Sequence, residues 1–148
     1  MKVIIGGIIV VALVLGSSNT FAGSYQDEID KFFSLYENGQ KNEAVDSIYS
    51  TNPWVAAAKD QIQNVRNQLL SIDKLVGQYH GKVKVDEHNI KERFTHITYL
   101  ALYDRQPVRF EFEFYRPKEQ WIIYSFSFDV EFMNEVQTAA RAKIAKGQ

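Results

Sequence analysis

The side chains best suited to chemistry in this sequence include three histidines, His80, His88 and His96. An imidazole can ligate a metal ion or carry a proton near neutral pH. A metal site needs several ligands at offsets that bring them to one face, such as i and i+4 of a helix. His80 falls at a predicted turn and the other two on separate predicted strands. The sequence therefore predicts no metal site and no cofactor.

Paired carboxylates and two serines are the next candidates. Glu111 with Glu113, and Asp129 with Glu131, alternate with apolar residues, so they belong to the polar side of strands. General acid–base catalysis needs two carboxyl groups in environments that separate their pKa values, which a solvated strand face does not supply. Ser125 and Ser127 lack a glycine-flanked nucleophile turn. We predict no catalytic residue among them.

A third group combines phenols with phenylalanines and is a candidate ligand-binding site. Its members are Tyr99, Tyr103, Tyr124 and Phe112. A buried tyrosine hydroxyl needs a partner, and an apolar cavity with a few polar groups is how small-molecule sites are built. Two interpretations stay open: ordinary core packing, or a pocket for a small apolar ligand or a peptide.

The N-terminus has the order of an export signal. Lys2 precedes an apolar stretch from Val3 to Leu15, and small residues follow up to Ala22. The stretch is shorter than the ~20 residues that span a bilayer, so we expect cleavage after Ala22 and no stable membrane anchor afterwards. No cysteine is present for a lipid anchor. Residues 1–22 are thus a predicted signal peptide, and the protein is expected to be periplasmic or secreted.

Composition limits what the remaining chain can be. Residues 23–148 are long enough for one domain with its own core. The absence of cysteine excludes disulfides, thiol catalysis and cysteine-bound metals. The full chain has a net charge of −1, and residues 23–148, which lack Lys2, have a net charge of −2; this gives no basic surface for phosphates, so nucleic-acid binding is not expected.

Helical periodicity dominates the first half of this domain. Ile29, Phe32, Phe33 and Tyr36 recur at helical spacing after Ser24, and a second helix is predicted over 41–50. Asn52-Pro53 is typical of a helix start, and the apolar spacing that follows predicts one continuous helix up to Gly77. Residues 133–146 predict a short C-terminal helix.

The period changes to two after Gly81. This alternation predicts antiparallel strands over 82–89, 93–103, 108–115 and 120–132. Parity arguments place Tyr103 opposite Val108, Phe114 opposite Ile122 and Phe112 opposite Tyr124. One face is then an aromatic layer beneath the long helix. The other face mixes apolar side chains with charges, and its candidate interaction residues are His96, Tyr115, Trp121, Leu100 and Leu102.

A family resemblance covers most of the domain. It rests on Phe32-Phe33-x-x-Tyr36-x-x-Gly39, Gly77-x-Tyr79-x-Gly81, the run 107–112 and the run 121–126. With them the chain resembles small exported bacterial proteins of the nuclear-transport-factor-2-like fold, within the cystatin-like α+β group. The resemblance implies a bent four-stranded antiparallel sheet with helices in its concave face. Enzymes of this fold place an Asp or His in the cone, where this sequence has aromatic and aliphatic residues.

These observations favour a non-enzymatic exported binding module that takes a small apolar ligand or peptide in an aromatic cone. The alternative is a homodimeric or partner-binding protein that uses the outer sheet face. An isomerase or dehydratase, with Tyr99, Tyr124 and a nearby His as its acid–base groups, comes third. Fold alone does not decide among the three.

Overall fold

The computed structural model describes residues 23–147, which form an α+β protein. Four helices precede a four-stranded antiparallel sheet, and a fifth helix follows it. The helices are α1 (Tyr25–Glu37), α2 (Lys41–Tyr49), α3 (Pro53–Ala56), α4 (Lys59–Val76) and α5 (Phe132–Ala145). The strands are β1 (Tyr79–Ile90), β2 (Phe94–Tyr103), β3 (Val108–Tyr115) and β4 (Ile122–Asp129), paired in chain order as an open sheet. The predicted class and the order of helices and sheet are confirmed.

The predicted export signal and its cleavage site at Ala22 lie outside the described residues. Among the helices that the structure does describe, none combines the length and apolar character needed to cross a bilayer.

The first helix begins where the sequence predicts it. The hydroxyl of Ser24 accepts a hydrogen bond from the backbone N–H of Asp27 at 3.2 Å, and the Asp27 carboxylate accepts one from the N–H of Ser24 at 2.9 Å. This reciprocal pair satisfies two donors that would otherwise lack partners at the helix start. The apolar face of α1 then buries Ile29, Phe32, Phe33 and Tyr36.

The predicted continuous helix over 53–76 is wrong, because the chain breaks at Ala57-Ala58 into α3 and α4. The side chain of Asn52 caps Trp54 at 3.0 Å and also donates to the carbonyl of Ile123 at 2.7 Å. The hydroxyl of Thr51 accepts from the N–H of Ile123. These bonds fix α3 against β4 while α4 packs on α2, so one straight helix cannot satisfy both. Tertiary contacts thus override the helix preference of three consecutive alanines.

The helix that covers the sheet is α1, which corrects the prediction that the long helix does so. The ring centroid of Phe32 lies 5.2 Å from that of Phe112 and 5.0 Å from that of Phe126. Phe33 lies 5.9 Å from Phe110. In contrast, α4 is joined to α2 by ion pairs of Lys41 with Asp73 and of Arg66 with Asp46. The long helix therefore forms an outer layer.

The predicted register between β2 and β3 has the right parity but is displaced by two residues. Ala101, and not Tyr103, faces Val108. Tyr103 instead pairs with Tyr79 of β1, and the N–H groups of Asp104 and Arg105 donate to the carbonyls of Gln78 and Val76. Pro107 has no N–H to extend the ladder. The end of β2 is therefore held by β1 and the end of α4.

The predicted pairing of β3 with β4 is wrong because of a β-bulge. Phe114 faces Ile123, and Phe112 faces Phe126, with a register shift beyond Glu113. Glu113 pairs with Ser125, which leaves Tyr124 as the extra residue. A bulge of one residue reverses the alternation on one side of it. Ile123 consequently lies in the core and Tyr124 outside it.

Gly77 is the position at which the backbone should tolerate a side chain least. Its φ of +92° and ψ of −160° lie where only glycine is unstrained, and an added Cβ would stand 2.7 Å from the Cβ of Asp104. Gly39 provides a matched control, with φ of +78° and open space around an added Cβ. We expect Gly39→Ala to lower the free energy of unfolding by about 1–2 kcal/mol and Gly77→Ala by more than about 2 kcal/mol, as measured by urea denaturation. Equal losses would contradict the close approach of Asp104.

Candidate functional site

Three of the four candidate ligand-binding residues lie in the filled interior. Tyr99, Tyr103 and Phe112 are all buried, and Phe112 is 0% exposed. The ring of Phe33 lies 5.0 Å from that of Tyr99 and 5.8 Å from that of Phe112. At such distances aromatic rings are in contact. The side chains of α1 therefore occupy the space that a ligand in the predicted cone would need.

Three buried phenols of this interior, those of Tyr36, Tyr99 and Tyr103, have hydrogen-bond partners. The hydroxyl of Tyr103 pairs with that of Tyr36, and the hydroxyl of Tyr99 accepts from the side-chain amide of Gln26 at 3.1 Å. Burial raises the pKa of Tyr103 to about 12 and raises the pKa of Tyr36 further. Both phenols stay protonated near neutral pH, so neither is suited to act as a general base.

Polar contacts close the edge between α1 and β1. Glu37 accepts hydrogen bonds from Lys82 at 2.8 Å and from the hydroxyl of Tyr79 at 2.9 Å. Lys84 forms an ion pair with Glu87, which also accepts from Tyr25. The bond to Lys82 lowers the pKa of Glu37, and the bond to Lys84 lowers that of Glu87. These charged groups lie between the solvent and the aromatic interior.

The opposite face of the sheet carries an uncovered group of large apolar side chains. Alternation around the buried Ile97, Phe112 and Phe114 identifies this outer face, and the register aligns one residue from each strand across it. We call this group the apolar corner; its members are Ile90, Phe94, Tyr115, Ile122 and Tyr124. Tyr124 is 63% exposed, and its ring lies 5.9 Å from that of Phe94. A cluster of this kind on a protein surface is typical of an interaction site.

The bulge explains two corrections to the predicted sites. The alternation in the sequence predicts Tyr124 in the cone and Trp121 on the outer face. The extra residue reverses the parity of the start of β4, so Tyr124 turns outward. Trp121 packs against the core instead, with its ring 4.9 Å from that of Tyr25 and the guanidinium of Arg116 5.2 Å from its ring centre.

The other predicted interaction residues do belong to the outer face. Leu100 and Leu102 lie on it because Tyr99 and Ala101 point inward, and Leu102 is exposed. Tyr115 is part of the apolar corner, and His96 lies in the row beside it. The sequence interpretation missed Ile90 and Phe94. The alternation of side-chain direction along β1 and β2 could have placed them on the outer face. In β1 a register shift between Lys84 and Asp86 interrupts that alternation.

Carboxylates continue the outer face beyond the apolar corner, with Glu113 in the adjacent row and the others farther along the strands. We call them the acidic band; its members are Asp86, Glu111, Glu113 and Asp129. Arg109 lies among them, 2.8 Å from the carboxylate of Asp129 and 3.6 Å from that of Glu111. The imidazole of His96 is 3.3 Å from Glu111. With His neutral, the four carboxylates outnumber the single arginine, so the band is negative.

His96 also faces His88 across β1 and β2. Within residues 23–147 no group of three or more His, Cys, Asp or Glu side chains is arranged to hold a metal ion. The outer face combines a hydrophobic group with a row of charges, which is the composition found at the core and rim of protein interfaces.

The phenol pair gives a prediction about alkaline pH. A phenol whose folded-state pKa is raised stays protonated while the phenol of the unfolded chain ionises. Its contribution to the free energy of unfolding is therefore complete below about pH 10 and is lost as the pH rises through about 12. We expect the urea midpoint to drop between pH 10 and 12, and to drop less in the double variant Tyr36→Phe with Tyr103→Phe. At neutral pH the single variant Tyr103→Phe should cost about 1–3 kcal/mol, because it leaves the hydroxyl of Tyr36 without its partner. A double variant less stable than the single one would contradict this pairing.

Comparison of the chain with protein-family models, with curated proteins and with solved structures finds no match.

Proposed function

We propose that this protein is an exported, non-enzymatic interaction module that binds a protein partner on the outer face of its sheet. The observation that carries the proposal is the apolar corner, in which Ile90, Tyr115 and Tyr124 are exposed although β2 and β3 are buried on the other face of the sheet. Exposed aromatic side chains beside charges are typical of the centre and rim of protein interfaces.

The filled interior supports this proposal over a ligand in the cone. Phe32, Phe33 and Phe112 are each 0% exposed and in ring contact with their neighbours. A drug-sized ligand needs a cavity of roughly 300–1,000 Å³, which would require α1 to move off the sheet. Such a movement would expose several phenylalanines, each worth about 1.5–3 kcal/mol when buried.

The proposal is also favoured over an acid–base enzyme. The two phenols on which an isomerase or dehydratase would rely are separated by the sheet, since Tyr99 is buried and Tyr124 lies outside. A proton donor and acceptor must both reach one substrate, within about 3 Å of the proton each transfers.

Membership of the nuclear-transport-factor-2-like fold is part of the proposal. It is supported by the order of helices before an antiparallel sheet and by the aromatic face that the helices cover.

Export is the part of the proposal that an N-terminal mass measurement tests. The peptidase requires small side chains at the residue before the cut and two residues earlier, but not between them. We expect protein secreted from a bacterial host to begin at Gly23, Ala22→Leu to abolish processing, and the matched control Phe21→Leu to leave it intact. An unprocessed wild type would contradict the export signal.

Site-specific photo-crosslinking tests the outer face. We expect a photoreactive residue at Tyr124, which is 63% exposed, to give one discrete protein adduct in the cells that produce the protein. The control position is Leu75 on α4, which is 69% exposed on the helical side and should give none. Adducts at Leu75 but not at Tyr124 would contradict the proposal. A small molecule recovered in stoichiometric amount from native mass spectrometry would instead favour the ligand-binding alternative.

A further inference from the structure

Helix α5 has no buried residue, although it is 14 residues long. From Met133 to Gly147 every residue is exposed. An isolated helix shorter than about 12–15 residues is marginal in water, and most helices in proteins are stabilised by packing of an apolar face. A helix of this length without packing is therefore expected to have its partner in another surface.

The apolar stripe of α5 points away from its own sheet. Glu135 accepts a hydrogen bond from Arg109 at 2.9 Å, so the Glu135 side of the helix faces the sheet. At about 100° per residue, Met133, Ala140 and Ile144 lie roughly 140–180° around the helix from Glu135. We call these three residues the α5 stripe. Because it faces outward, the stripe cannot rest on the sheet from which the helix starts.

The stripe matches the outer sheet face in charge and in length. Arg141 and Lys143 flank it at about 70–90° on either side. Glu113, the member of the acidic band nearest the apolar corner, lies in the adjacent row of the outer face, where a basic group beside the stripe can meet it. From Met133 to Ile144 the stripe is about 16 Å long, and four strands are about 14 Å across. One helix can thus cross the whole sheet.

We propose that the partner is a second copy of this chain, whose α5 stripe docks on the outer face while the first copy's α5 docks in return. This inference rests on the proposed function and names its partner. Both complementary surfaces are present on each chain, and Arg109 with Glu135 fixes the start of α5 beside the outer face. In a reciprocal contact related by a twofold axis, each chain contributes both surfaces. Two α5 stripes and two outer faces are then buried, and the assembly stops at a dimer.

Two neighbouring alanines provide a matched test of the dimer. Ala140 belongs to the stripe, whereas Ala139 lies on the Glu135 side, about 40° from Glu135. By sedimentation velocity we expect the wild type to be a dimer, Ala139→Glu to remain one, and Ala140→Glu to raise the dissociation constant by at least about 30-fold. A near-ultraviolet circular dichroism spectrum identical to that of the wild type would show that both variants fold. A monomeric wild type, or equal effects of the two variants, would overturn the inference.

Charge reversal tests the orientation of the contact. The double variant Arg141→Glu with Lys143→Glu should weaken the dimer, and adding Glu113→Lys in the same chain should restore part of its affinity. The effect of the reversal should shrink at high salt, because exposed charges are screened. Failure of Glu113→Lys to restore any affinity would overturn the docking of α5 on the acidic band.

A crosslink between copies separates this inference from the proposed function. A photoreactive residue at Ile144, in a mixture of nitrogen-15-labelled and unlabelled chains, should give mixed-label dimers joined to peptides of 83–124. Adducts at Tyr124 with a different protein, together with a monomeric purified chain, would overturn the dimer and leave the outer face as a partner site. A monomer whose α5 binds anionic lipid vesicles would also overturn the dimer. The absence of any adduct at Tyr124 would contradict both the dimer and the proposed function.

Discussion

The packing of Phe32 and Phe33 on the phenylalanines of β3 and β4 is the contact on which the rest of this structure depends. It joins the first helix to the last strands, and each fully buried phenylalanine contributes about 1.5–3 kcal/mol. It also covers the inner face of β2 and β3, whose inward residues are buried. Because the chain's own side chains fill the interior at β2 and β3, the proposed function places the binding of a partner on surfaces outside the core.

The single extra residue in β4 determines which of its side chains lie on the outer face of the sheet. The bulge at Tyr124 moves Ile123 into the core and brings Trp121 against Tyr25. It thereby places an exposed tyrosine beside Phe94. Bulges occur often where a sheet must aim a side chain at a particular place. Here the bulge joins β4 to an apolar group that β1, β2 and β3 already share.

The outer face and α5 both expose apolar side chains and carry charges of opposite sign. The face has exposed apolar side chains and an excess of carboxylates, while α5 has an outward apolar stripe between two cations. The link between Arg109 and Glu135 turns the stripe away from its own sheet. Both features support the proposed association of two copies of this chain.

The sequence by itself determined the elements and the faces that are set by local pattern. Ser24 and Asp27 predict the start of α1, and strict alternation from Val108 to Tyr115 predicts which side of β3 is buried, because capping and side-chain direction are local properties. Tertiary structure alone decided the break between α3 and α4, the choice of α1 as the covering helix, and the positions of Trp121 and Tyr124. These depend on the hydrogen bonds of Thr51 and Asn52 to Ile123 and on one unpaired residue in β4. Such contacts join residues about 70 positions apart, so no local pattern along the chain carries them.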